Sequence, residues 1–271
     1  MAEQKGIIRI KGKIGDLSFY QGNGKDFVKT PGGATKSQIM SNPKFVRLRE
    51  NMTEFGGSAH VGRAFRHGLA DVLDVMSGRS LSGRVTGMFK AVCSHGSGTR
   101  GERKFEIVAN KSIMIGFNFN NNKRLSSIFS PMYTYTVNVG RNETELFVPD
   151  FNVSDYVHAP EGATHFRLVN SASILSDYKY DPTLKTYNAT DPTIDGLNMV
   201  KYSGYIEVTG MVGMDTTVTA TIAGAPVMTA SAGLIGCIGI EFFQFVNGDY
   251  YLLNAENSLR LENVFYVAER L

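Results

Sequence analysis

AGLIGCIGIEFFQFVNGDYYLL, residues 232–253, is the most apolar run of the chain and can be read as a membrane segment or as a buried hairpin. Glycines interrupt the run and Glu241 lies inside it, which argues against a membrane span. Asn247-Gly248 instead supplies two residues tolerant of positive φ between stretches rich in β-branched and aromatic side chains. That pattern predicts strands over 234–246 and 249–253 joined by a tight turn.

The same reading extends outward. Tyr133, Tyr135, Val137 and Val139 alternate with Thr134, Thr136 and Asn138, and Val218 and Ile222 share a parity against Thr217, Thr219 and Thr221. Further strands are expected at 113–119, 145–151, 165–174, 200–208 and 259–267. Short strands separated by turn residues predict an antiparallel sandwich over 105–271. Residues 177–198, with two prolines and repeated Asp, Thr and Asn, read as a long surface connection, or as the divide between two smaller β subdomains near that point.

Upstream, residues 39–104 read as a basic helical segment. Asn42-Pro43 marks a helix start, and Phe45, Leu48, Met52 and Phe55 recur at helical spacing until Gly56-Gly57, where a stop is expected. A second helix from Ser58 gathers Val61, Phe65, Leu69, Val72, Leu73 and Met76, and a third gathers Leu81, Val85, Met88, Phe89 and Val92.

Residues 1–38 form a third region. GIIRIKGKIGDLSFYQGNGKDFVKTPGG, residues 6–33, is rich in glycine and lysine and raises the question of a phosphate loop. Such a loop needs Ser or Thr after Gly-Lys and then a helix, whereas Gly24-Lys25 precedes Asp26-Phe27-Val28, a β-type sequence. Ile8, Ile10 and Ile14 share one parity, Arg9, Lys11 and Lys13 the other, and Leu17 and Phe19 resume the alternation before Gly22-Asn23-Gly24. The stretch therefore reads as a glycine-rich β-hairpin arm, and the chain as α+β: an N-terminal β-hairpin and short helices followed by an antiparallel β-sandwich.

The net charge of +3 hides an asymmetry. Residues 1–104 carry 18 Lys and Arg against 8 Asp and Glu, and residues 105–271 carry 10 against 17. Such a division suits a polyanionic partner, contact between copies, or basic on acidic packing within the chain. For nucleic acid the footprint would be Lys44, Arg47, Arg49, Arg63 and Arg66, extended by Arg79, Arg84, Lys90, Arg100, Arg103 and Lys104; with no reading helix, it would address backbone phosphates.

QKGIIRIKGKIGDLSFY (4–20), RENMTEFG (49–56), THFRLV (164–169) and GIEFFQFVNGDYYLL (239–253) together resemble a widespread bacterial family of chains of similar length. The resemblance implies one recurrent architecture and carries over no activity.

Catalytic and metal chemistry find little support in the sequence. His60 and His67 share a helix side without Cys or carboxylate at ligand spacing, and His158 and His165 flank a turn. Cys93 and His95 are two apart on a helix and face different ways, so Cys93 and Cys237, both in apolar surroundings, read as buried thiols in a reducing compartment. Glu143 and Glu145 read as a solvated face. No cofactor, metal or small-molecule substrate is expected, nor a membrane location; no secretory signal is evident, and a cytoplasmic chain or one within an assembled particle is expected. The leading expectation is a non-enzymatic structural or assembly protein, a homo-oligomer or partner-docking chain using Ile8, Ile10, Ile14 and Phe19. The alternatives are a nucleic-acid-associated protein and a virion-type particle component.

Overall fold

The computed structural model describes residues 2–6, 8–30, 32–254 and 256–266, in two compact units, 1–50 and 51–271. In the first, β1 (Ala2–Glu3), β2 (Gly12–Ile14), β3 (Leu17–Gly22) and β4 (Lys25–Lys29) form an antiparallel sheet in the order β1-β4-β3-β2. The expected hairpin is the centre of this wider sheet. Asn23 (φ 50°) and Gly24 (φ 75°) make its β3–β4 turn, a conformation these two residues adopt at low cost. A short helix that the sequence reading passed over, α1 (Lys36–Ser41), follows a capping box between Thr35 and Gln38. Asn42 then caps a 3-10 turn, Pro43–Phe45, that leads into α2 (Val46–His67).

Contrary to expectation, α2 runs straight through Gly56-Gly57. A helical glycine costs about 1 kcal/mol relative to alanine, and at Gly57 that cost is offset by close packing. A Cβ there would lie 2.5 Å from the Tyr187 ring and 3.1 Å from Phe105. The break falls instead at Gly68-Leu69, where a side chain on Gly68 would collide with Ser173, so the expected second helix is split and its last turns form α3 (Ala70–Met76). The third expected helix is α4 (Leu81–His95), and α5 (Leu125–Ile128) and α6 (Val153–Tyr156) are single turns.

The strands of the second unit are β5 (Thr134–Val137), β6 (Glu143–Val148), β7 (His165–Ser176), β8 (Tyr178–Asp181), β9 (Thr186–Ala189), β10 (Asn198–Tyr202), β11 (Ile206–Glu207), β12 (Thr216–Thr221), β13 (Ala232–Val246), β14 (Asp249–Leu252) and β15 (Ser258–Tyr266). Antiparallel β7 and β13 pair from Ala232↔Ser176 to Phe243↔His165 and form the centre of a six-stranded sheet. β10 and β11 flank β7, and β14 and β15 flank β13. A smaller sheet, β12-β6-β5, covers one face, with Leu146, Val148 and Val218 against Leu168, Ile238 and Ile240. On the other face, Val169, Ile235 and Cys237 share a core with Val61, Phe65, Val72 and Phe89 of the helices.

Covering both faces explains why Ala232–Phe243 is buried without a break and reads as an apolar run rather than an alternation. Gly236 makes room for Tyr135, whose hydroxyl oxygen would lie 2.4 Å from an added Cβ. Asn170 links the two sheets: its amide donates to the Thr144 and Val218 carbonyls, and its oxygen accepts from the Tyr135 and Thr144 hydroxyls. A buried amide with every contact made fixes the stacking of the sheets.

Two expected elements differ. Residues 113–119 form no strand: a 3-10 turn over Lys111–Ile113 is followed by Gly116 at φ 85°, and only an isolated bridge joins Asn118 to Arg260. Residues 177–198 are not a bare surface connection. They contain the β8–β9 hairpin, with Tyr178 and Tyr187 in the core, and the Asp181 carboxylate accepts from the Thr183 and Leu184 amides in its turn. The chain on either side of them builds one continuous sheet. The last expected strand is β15 as far as Tyr266, and Val267 lies outside the described residues. No helix among the described residues is long and apolar enough to cross a membrane.

Candidate assembly surface

The registers Ile14↔Leu17, Gly12↔Phe19 and Phe19↔Val28 put Ile14, Leu17, Phe19 and Val28 on one face of the amino-terminal sheet. Residues directly opposite one another in antiparallel strands share a face. The other face carries Lys13, Ser18, Tyr20 and Phe27, the last two stacked with ring centroids 5.7 Å apart. Ile14 is 57% exposed and Ile8 is 81% exposed, Ile10 and Leu17 are exposed, and Phe19 and Val28 are half-buried. Gln4 holds the irregular segment before β2 through both groups of its amide, accepting from the Ile10 N–H at 3.1 Å and donating to the Ile10 and Phe27 carbonyls. Arg9 pairs with Asp26 at 2.9 Å. Among the described residues of this unit Asp26 alone is buried, so the apolar side chains of the sheet have no core of their own. β2, with β3 on one side, leaves its other edge unpaired among the described residues.

The five basic residues singled out from the sequence have different surroundings. Lys44 and Arg63 are exposed, whereas Arg47 pairs with Glu50 at 3.0 Å. Arg49 donates to the carbonyls of Ile39 and Asn42 at the end of α1, and Arg66 turns back to the Gly62 carbonyl of its own helix. Arg84 donates to the Asn118 and Phe119 carbonyls with its guanidinium 4.8 Å from the Phe117 ring centroid. Lys90 and Arg103 converge on Glu54, a fully buried carboxylate on α2 that also accepts the Gly101 N–H at 2.8 Å. Burial alone would raise the Glu54 carboxyl, but hydrogen bonds from Arg103, Lys90 and Gly101 outweigh it and hold the group at about 2. These cations tie the glycine-rich 96–104 loop to α2 and α4.

The Cys93 thiol is buried and pushed up to about 11, by burial first and by Glu54 second, and its sulfur faces the Arg103 carbonyl at 3.8 Å. His95 is exposed and contacts the Ala91 carbonyl through Nδ1, so the two side chains do not form a thiol–base pair. Burial also raises the Cys237 thiol. His60 lies edge-on to Tyr178, and His165 edge-on to Phe245 and Tyr250. Among the described residues no three His, Cys, Asp or Glu side chains are placed to hold a metal ion.

Sequence reasoning missed Val28 as the partner of Phe19; the two-residue Asn23-Gly24 turn sets that register and could have revealed it. It also missed a cleft of about 620 Å3 lined by residues of β11, β12 and the segment between them. Its signal is GMVGMD, residues 210–215, where Gly210 and Gly213 adopt positive φ and Met211 and Met214 point outward on either side of the half-buried Val212. No family model matches the chain, and no curated protein matches it either.

Proposed function

We propose that this chain is a non-enzymatic assembly protein whose amino-terminal sheet docks onto a second copy. The observation that carries the reading is a four-stranded sheet with an apolar face, Ile14, Leu17, Phe19 and Val28, and no buried apolar residue among the described residues of its unit. A sheet this small gains stability only when a hydrophobic face is covered. The unpaired β2 edge adds backbone donors and acceptors able to extend another sheet. Charge supports a copy as the partner: residues 1–50 hold 10 Lys and Arg against 4 Asp and Glu, whereas residues 51–271 hold 18 against 21.

The test is the solution mass of nuclease-treated protein beside an Ile10→Asp/Ile14→Asp variant. The exposed positions let the variant fold, and its association is expected to weaken by about tenfold or more, as loss of two apolar contacts implies. Equal masses for the two proteins would overturn the reading. An assembly that dissolves on nuclease treatment would favour phosphate binding by Lys44 and Arg63 instead.

A further inference from the structure

The cleft between β11 and β12 is, we propose, the surface that receives the amino-terminal segment of the second copy; this rests on the assembly reading above. Its position is the first reason. β11 pairs only with β7, and β12, at the end of the smaller sheet, pairs only with β6. Both strands line the cleft and each keeps an edge without a partner among the described residues, so an incoming strand can add to either sheet by main-chain hydrogen bonds.

The lining is the second reason. Met211 is 59% exposed, Met214 is 70% exposed, and Tyr205 beside them is exposed. Unbranched thioethers adapt to an apolar guest better than branched side chains do. The described lining residues include the carboxylates of Glu207 and Asp215 and no Lys or Arg. Sequence pattern is the third reason. Ile10 and Ile14 alternate with Lys11 and Lys13; Lys13 and Ile14 lie in β2, and Ile10 and Lys11 lie in the irregular segment before it, which would extend as a strand on docking. A strand with that alternation sets isoleucines against the methionines and Tyr205 while its ammonium groups meet Glu207 and Asp215. Arg9 is left out of this pairing because it already holds the buried Asp26 carboxylate, whereas Lys11 donates at 3.0 Å to the neutral, exposed Gln21 side chain, a contact it can exchange for a carboxylate. Segment and cleft are different surfaces, so the contact closes into a two-fold dimer where it is reciprocated and gives a head-to-tail ring or an open chain where it is not.

Charge exchange in the full-length chain tests this. Lys11→Glu/Lys13→Glu and Glu207→Lys/Asp215→Lys are each expected to weaken self-association about tenfold or more at 0.1 M salt, where exposed charges still act over about 10 Å. Carrying all four substitutions in one chain should restore association, and mixing the two double variants should produce hetero-association, because the acidic segment of one meets the basic cleft of the other. Association of Glu207→Lys/Asp215→Lys at wild-type strength, with Ile10→Asp/Ile14→Asp still disruptive, would overturn the cleft assignment and leave the assembly reading standing. Two weakened double variants with no restoration on combination would put the charges at separate contacts and also overturn it. A wild-type monomer would overturn both readings.

Discussion

Two carboxylates, Glu54 and Asp177, take opposite directions because of what surrounds them. Glu54 is held at about 2 against an ordinary 4.5, so it stabilises the fold above about pH 5, and that contribution disappears as pH falls toward 2. The loss should approach about 3 kcal/mol, read as the change in urea-unfolding free energy between pH 5 and pH 2, and Glu54→Gln should flatten that part of the profile. Equal slopes in the two proteins would contradict the network described around Lys90 and Arg103. Asp177 is pushed up to about 6, by burial first and by Glu106 among its neighbours, although the Ile107 N–H donates to it at 2.6 Å. Its folded value lies above its unfolded one, so its favourable contribution is complete below about pH 4 and is lost as pH rises through 6. Asp177→Asn is therefore expected to raise stability at pH 7 by about 1 kcal/mol, the burial penalty less what is lost from the backbone hydrogen bonds of Ile107 and Val108, and no gain or a loss in urea unfolding would contradict it. Neither behaviour was legible in the sequence. Glu54 is one acid among basic neighbours there, and only folding brings Gly101 and Arg103 back to it from a distant loop.

At the scale of elements, Gly56 and Gly57 make a paired test. Both lie inside α2, yet a Cβ on Gly56 meets nothing within 4 Å, whereas one on Gly57 meets the Tyr187 ring. Gly56→Ala should stabilise by up to about 1 kcal/mol through helix propensity. Gly57→Ala should destabilise by about 1–3 kcal/mol through overpacking. Thermal or urea unfolding of the two variants checks the pair, and equal signs would contradict the packing of α2 on the β8–β9 hairpin. The same pair marks the limit of local sequence reading. Glycine punctuation read as a helix stop was overridden by a tertiary contact with Tyr187, 130 residues away in a segment read as loop. Where the cause is local, sequence and structure agree: Asn247-Gly248, at φ 55° and 96°, turns β13 into β14, and Asn42-Pro43 starts the path into α2. The split of 200–208 into β10 and β11 was not legible, because it depends on where β7 offers its edge.

At the scale of the molecule, the α+β class with its β-rich C-terminal region was legible from periodicity alone, while the covering of both faces of one sheet was not. An apolar run such as Ala232–Phe243 fits a strand buried on both sides, yet its neighbours on each face come from residues 61–92 and 146–218. Of the candidate site, the exposure of Ile8, Ile10 and Ile14 follows from a segment with too few side chains to bury them, and the acidic cleft could not be seen until β11 and β12 were placed. The basic first third lost its apparent unity for the same reason, because Arg49, Arg84, Lys90 and Arg103 are engaged within the fold.

On the proposal above, the amino-terminal sheet is covered by another copy. The decisive measurement is the light-scattering mass of the nuclease-treated chain across protein concentration at 0.1 M and 1 M salt. A copy covering the sheet gives a mass that rises with concentration above the 29.7 kDa of one chain, and a weaker rise at 1 M salt, where the Debye length is about 3 Å. A constant 29.7 kDa at every concentration and both salts would contradict it.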